Sequence, residues 1–374
     1  MSRSTPIPRE IPPHLLEPGL FCDTLLGVMA RVVRNLQGHP FPGWSTAEDR
    51  RAVADELVPG LLKMPAFSRG SFHAEMPRLS FDDRRRLLLL NLLSPSMAAR
   101  QDGCHLILSR KRDISVMVNE EEHLVLHIFR EGCMRPPRRE DPLGVFPLLD
   151  RVESLCSQLD KRFPFAHTRE HGYLTSIPTE CGDGVQLYAM LHLPALNFAN
   201  MMGQVTKAME KLHVSISPFY SDNHDNTGSR FMLYSIPGPA DSLNDMQEYF
   251  FAVVKRVVDR ELSVRSRLAD EPGQRILDHI GRTYGMLMHA RRLNIKELRD
   301  AASALRLATV LGVTQWECGA LDFIRGLDEL CLTLVADAVT AGDEERVPLM
   351  LAERTRAFLR AIPHTIQTPD TQIL

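Results

Sequence analysis

Glu120, Glu121 and Glu122 stand in a row between two short runs of alternating apolar residues, 114–118 and 124–128. Carboxylates gathered at the tip of a hairpin can align a cationic group and accept a proton from it, which is general-base chemistry. Taken alone, the same triplet also fits a solvated acidic turn. Gly182 and Gly184 flank Asp183; a lone G-x-G is a weak phosphate signal and a good hairpin signal. His167, His171 and His192 lack the spacing of a metal-ligand set, and His192, just ahead of Pro194, reads as a packed structural histidine. None of the seven cysteines lies in a C-x-x-C pair, so neither a zinc site nor a redox motif is indicated. Tyr284 and Trp316 fall on or beside helical segments and read as core or interface anchors.

The elements that must position these groups follow from periodicity. Helical spacing predicts helices over 20–36, 46–58, 81–93, 146–163 and 195–211. Ser45 or Thr46 is the N-cap of the second, and Pro59 with Gly60 should end it. Alternating patterns predict strands at 106–108, 114–118, 124–128, 214–220 and 230–235, and a further pair at 173–175 and 186–193 around the loop 180–184. A polar loop, 221–229, joins the pair at 214–220 and 230–235. After Pro237 the strand signal stops, and helices are predicted over 242–268, 274–289, 295–311, 321–341 and 344–361. Pro363 ends the last one. Hairpins interleaved with helices imply an α+β fold: an antiparallel sheet flanked by helices, with a C-terminal helical domain. Residues 1–18 read as a flexible arm, 19–237 as the α+β domain with a helical N-terminal part, 238–364 as the helical domain and 365–374 as a tail.

Composition bounds the function. The chain has 374 residues, 44% of them hydrophobic, enough for a substantial core. A net charge of -3 argues against a purely electrostatic nucleic-acid binder. No apolar run approaches the ~20 residues that span a bilayer, and the polar, proline-rich start has no signal-peptide core. The expectation is a cytoplasmic protein with no membrane and no nucleic-acid partner.

Five blocks occur in order. They are ARVVRNLQGHPFP (30–42), VMVNEEEHL (116–124), HGYLTSIPTECGDGVQLYAMLHLPAL (171–196), DHIGRTYG (278–285) and RLATVLG (306–312). Together the chain resembles the ATP:guanido phosphotransferase (phosphagen kinase) family, above all its bacterial branch, the protein-arginine kinases. The resemblance implies a guanido-kinase catalytic fold, and ATP with Mg as cofactors if the chain is active. It places Glu121 at the position of the catalytic base, between Glu120 and Glu122. Asp225, in SDNHDNTGS, falls at the second acidic position, where the family has the longer glutamate.

Of the five arginines with which the family holds ATP phosphates, the resemblance keeps Arg31. It places Met29, Val125, Gln186 and Ser217 at the other four. Ile177 stands where the family has a cysteine, and Asp183 where it has a threonine. Near the C-terminus, residues 352–357 are the nearest match to a phosphoarginine-binding motif. Glu353 and Arg356 are its weak remnants, and Ala352 stands in place of its leading arginine. The expectation is a protein-arginine-kinase-like chain with a degraded phosphate clamp, a pseudokinase acting through protein partners and forming a homodimer. The alternative is an active kinase that transfers the γ-phosphate to an arginine guanidinium of a substrate protein.

Overall fold

The computed structural model describes residues 24–100, 102–131, 146–219, 228–236, 243–270, 273–316, 344–362 and 364–366. The predicted arm, 1–18, and the predicted helix at 321–341 lie outside them.

The segment read as a first helix is strand β1 (Leu25–Arg34), and it runs through the middle of the main sheet. Its residues are largely apolar on both sides, with Val28, Ala30 and Val32 buried on one face and Met29 and Val33 on the other, Met29 only half-buried. The alternation that marks a half-exposed strand is therefore missing. The eight strands of this sheet are β1, β2 (Phe72–Glu75), β3 (His105–Leu108), β4 (Ile114–Val118), β5 (Leu124–Glu131), β8 (Val185–His192), β9 (Val214–Pro218) and β10 (Arg230–Ser235). Their order is β2-β3-β4-β5-β1-β8-β10-β9, antiparallel throughout. The predicted pairing of 173–175 with 186–193 does not form. Instead β6 (His167–Thr168) pairs with β7 (Gly172–Tyr173), and Tyr173 bridges to Gly182.

Helix α1 (Ala47–Leu62) begins at Thr46 with a full capping box to Asp49, a device worth about 1 kcal/mol. It does not stop at Pro59. Leu57 and Leu61 are fully buried, and that burial carries the helix through a proline lying in its last turn. Gly60 is required there by space, because a Cβ would come within 2.5 Å of the Phe163 ring. Helices α2 (Phe81–Leu89) and α3 (Pro95–Ala98) follow, the first with a Ser80–Asp83 capping box. Helix α4 (Phe146–Asp160) lies close to its predicted span.

The helix expected over 195–211 is two, α5 (Pro194–Phe198) and α6 (Met202–Lys211). Asn200 adopts the left-handed conformation between them (φ 55°). The Met201 amide donates to the Leu196 carbonyl at 2.9 Å and the Asn200 amide to the Asn197 carbonyl at 3.0 Å. These are the paired bonds of a Schellman stop.

One face of the sheet packs on α1, α4 and α7 (Leu243–Asp270) in a single apolar core that takes in Leu36, Leu57, Val152, Leu187, Phe250 and Val254. On the other face, Val33, Met117 and Val125 pack with Leu87, Leu90 and Met97 of the α2–α3 region. A third cluster joins α8 (Gln274–His289), α9 (Ile295–Val310) and α10 (Val347–Ala361). Strand β11 (Thr314–Trp316) pairs with β12 (His364–Ile366), so the first residues of the expected tail, 365 and 366, belong to a strand.

The start of α5 is held by a buried acid. Glu261, fully buried on α7, accepts from the amides of Ala195 and Leu196 at 3.0 and 2.9 Å. Arg265, one turn on, donates to Glu261 at 2.7 Å and to the His192 carbonyl at 3.3 Å. His192 itself is buried, with Nε2 2.8 Å from the Ser303 hydroxyl, and it has the structural role expected of it.

Candidate functional site

The turn from β4 to β5 closes when the Asn119 amide donates to the His123 carbonyl at 3.0 Å. Asn119 has φ 61°, a conformation its short polar side chain tolerates better than most. Its Nδ2 donates to the carbonyls of Arg50 (2.7 Å) and Gly103 (2.6 Å). His123 accepts at Nδ1 from the Leu36 amide and lies 3.0 Å from the Pro40 carbonyl through Nε2. The proton is thereby assigned to Nε2.

The three glutamates have different surroundings. Glu120 is buried and accepts from the hydroxyls of Ser94 and Ser96 and from the Glu121 amide. Burial alone would raise its carboxyl; the three hydrogen bonds together outweigh burial and hold it below the usual glutamate value. Glu122 is buried as well. It accepts from Asn35 Nδ2 at 2.5 Å and from the amide and hydroxyl of Ser176, both at 2.8 Å. Glu121 is different, with its side chain 55% exposed and 3.7 Å from Arg31 Nη2. Of the three acids it is the one placed to meet a group arriving from outside.

Arg31 projects from β1 between His127 on β5 and Gln186 on β8, its partners in register. Nη1 donates to Gln186 Oε1 at 3.3 Å and lies 3.7 Å from a carboxylate oxygen of Glu180. The guanidinium therefore faces two carboxylates, Glu121 and Glu180. Strand parity brings Met29, Gln186 and Ser217 to the same sheet face as Arg31: Met29 is opposite Phe129 and Tyr188, and Ser217 is opposite Met232. Val125 shares this parity but is fully buried between Val33 and Met117 in the core. Asp225 lies outside the described residues. Arg34 cannot stand in for a missing arginine of this face. It is buried, donates to the carbonyls of Val33 and Asp183, and stacks 3.5 Å over the Tyr173 ring. Gly184 leaves room for it, since a Cβ there would meet Arg34 Nη1 at 2.6 Å. Cys181 Sγ sits 3.5 Å from the Thr175 hydroxyl and Ile177 is exposed.

Beside Arg31 a cavity of about 160 Å³ opens on the same face. Its floor is Met29, His127, Phe129, Tyr188, Met190 and Met232, and its wall comes from the segment 91–95 and Phe219. Burial pushes His127 down to about 4, with Arg31 adding to that and Glu120 opposing it, so the imidazole is neutral at pH 7. Burial pushes the Tyr188 hydroxyl up to about 12, and it donates to Gln186 Oε1 at 3.0 Å.

In the helical part, Glu353 is exposed, while Arg356 donates to the Ala290 carbonyl and so ties α10 to the end of α8. Ala352 is fully buried, so an arginine at that position would have to displace core. Among the described residues no group of three or more His, Cys, Asp or Glu side chains could hold a metal ion, and no helix is long and apolar enough to cross a membrane.

Sequence reasoning finds the acidic turn and misses Glu180, His127, Tyr188 and the serine pair under Glu120. Strand parity over 124–131 holds a signal for His127, two residues from Val125 and from Phe129. Glu180 comes from a 3₁₀ turn (Pro178–Glu180), and nothing in its local sequence marks it.

Residues 67–261 match the family model of the ATP:guanido phosphotransferase C-terminal catalytic domain. The chain belongs to the ATP:guanido phosphotransferase family. It is 27% identical over 301 residues to a protein-arginine kinase of Caldanaerobacter subterraneus subsp. tengcongensis, covering 80% of this chain and 86% of that one. It is 29% identical over 299 residues to a protein-arginine kinase of Desulforamulus reducens, covering 78% and 79%. Among solved structures, lombricine kinase superposes with a TM-score of 0.56 at 14% identity, over 71% of this chain and 73% of that one. The duplicated taurocyamine kinase of Schistosoma mansoni, solved with transition-state-analog components, gives 0.54 at 16% identity, over 64% of this chain and 33% of that one. These two likenesses establish the fold.

Proposed function

We propose that the chain is a protein-arginine-kinase-like pseudokinase that acts by binding protein partners. The observation that carries this reading is the face around Arg31. Among the described residues the arginine beside the acids, Arg31, is already paired with Glu121 and Glu180, and the positions where the resemblance expects further arginines hold Met29, Gln186 and Ser217 on the same face as an apolar cavity. Phosphoryl transfer relies on fixed positive charge around the transferred group. A charged hydrogen bond contributes roughly 1.5–3 kcal/mol, so a face that lacks arginine at Met29, Gln186 and Ser217 and whose Arg31 is already neutralised does not fit Mg-ATP. A reducing, cytoplasmic setting suits the free thiols Cys104, Cys156 and Cys181. The partner is a second copy of the chain, joined through the helical C-terminal region, together with another protein. Leu262, Val310 and Leu349 are exposed on α7, α9 and α10 and support this. Light scattering on the full chain checks it, and a monomer rules it out.

One observation favours the alternative, an active kinase. Glu121 is exposed and oriented by Arg31, as a base for a substrate guanidinium would be. Calorimetry with Mg-ATP separates the two readings, and no binding at millimolar nucleotide is expected. Binding at 100 times the dissociation constant would stabilise the fold by about 2.7 kcal/mol, a shift visible in thermal unfolding. The companion assay incubates wild type and Glu121→Gln with ATP and an arginine-rich acceptor and measures phosphoarginine by mass spectrometry. Signal above the no-enzyme control in the wild type, lost in the variant, would overturn the pseudokinase reading.

A further inference from the structure

The cavity beside Arg31 is bounded by thioethers and rings, with Met29, Met190 and Met232 on its floor beside Phe129 and Tyr188. Among the described residues no Lys, Arg, Asp or Glu lines it, so that lining favours a neutral ligand. Its volume of about 160 Å³ is close to that of an apolar cavity that takes one benzene ring, roughly 150 Å³. Methionine sulfur packs favourably on aromatic edges, which selects a flat ring over a branched aliphatic of equal volume.

The polar groups on the lining differ in what they have left to offer. The Ser94 hydroxyl donates to Glu120 and accepts from the Met97 amide. The Tyr188 hydroxyl is engaged by Gln186. His127 is half-buried and packs edge-on to Phe129 with ring centroids 6.0 Å apart. Among the described residues, no hydrogen bond to its ring nitrogens is found. A neutral imidazole has one donor and one acceptor nitrogen, so a hydroxyl entering the cavity can bond to it.

We propose that this cavity is a binding site for a neutral, single-ring aromatic molecule bearing one hydroxyl, of the phenol class, with His127 as its hydrogen-bonding partner. The ring lies on Met29, Met190 and Met232, and the hydroxyl meets the imidazole. The inference rests on the reading above to the extent that this sheet face is not filled by a triphosphate.

Ligand-observed NMR and calorimetry on the full chain, with phenol, p-cresol and toluene as probes and Mg-ATP as a separate arm, test it. Phenol should bind saturably and about tenfold tighter than toluene, the equivalent of one hydrogen bond. In His127→Leu that preference should vanish while toluene still binds. Met190→Trp should fill the space and abolish both. Met29→Trp fills it from the neighbouring strand if the first variant unfolds, and thermal unfolding confirms that each variant is native. Absence of saturable binding, or binding that survives the filled cavity, overturns the proposal. Neither phenol nor Mg-ATP bound overturns the cavity site alone. Both bound without competition overturns the pseudokinase reading alone. Mg-ATP bound without phenol overturns both.

Discussion

The acidic turn and the sheet face around Arg31 are neighbours in one site, yet their residues answer to different constraints. In the turn, most polar side chains also hold the chain in shape. Asn119 satisfies two carbonyls and supplies a left-handed backbone, Glu122 gathers Asn35 and Ser176, and His123 pins the segment after β1. On the sheet face, backbone pairing is complete whatever the side chains are, so Met29 or Ser217 can stand where an arginine would without disturbing a strand. The lesson is that an intact acidic turn says little about chemistry. Its sequence would persist for stability alone, and Glu121 is the acid there whose identity the fold does not require.

The largest effect expected from this contrast is at Glu122. Glu122→Ala strips the acceptor from Asn35 Nδ2 and from the Ser176 amide and should cost about 3 kcal/mol in urea unfolding. A loss under about 1 kcal/mol would break the distinction between the two regions. Asn119→Ala should cost about 2 kcal/mol, since it loses two hydrogen bonds and strains φ 61°. Asn119→Gly, which relieves the backbone but not the bonds, should recover part of that.

Acid should act next, through His127 and the stacked pair His73 and His105, whose ring nitrogens approach to 3.2 Å. Burial depresses His127 and His73 to about 4, and His105 below its usual value. The unfolded chain thus binds these protons first. Stability is full above about pH 6.5 and falls as pH drops toward 4. His127→Leu should flatten that fall, read as unfolding midpoints across the range. The smallest effect is at Glu121. Glu121→Gln should move stability by under about 0.5 kcal/mol, because its carboxylate is largely exposed, lies 3.7 Å from Arg31, and its loss leaves Arg31 its other partner Glu180. A larger loss would mean that this acid, too, carries structure.

Much of this architecture can be read in the residues, and the failures have physical causes. Strand β10 declares itself because its side chains alternate between buried and half-buried, and β4 and β5 because short runs rich in β-branched residues flank an obvious turn, although β4 is buried throughout. Strand β1 does not, because its apolar residues mimic a helical stripe. Pro59 misleads for a similar reason: a local stop signal loses to the burial of Leu57 and Leu61. The break at Asn200 depends on one left-handed residue, for which the sequence offers an asparagine but no glycine. In the site, Glu121 and Arg31 are legible as a family pattern. Their closeness to Glu180 and His127 comes from strand register and a 3₁₀ turn, which no short window of sequence contains.

Glu261 gives the molecule an indivisible history. The family match ends at this residue, yet its carboxylate caps a helix 66 positions earlier in the chain, and its partner Arg265 lies just past the match. Phe250, Val254 and Val258 are packed in the same core as the sheet strands. The helical part therefore cannot be inherited, lost or exchanged as a cassette. A gene shortened after residue 237 would encode an open seam along the sheet and two bare amides at the start of α5.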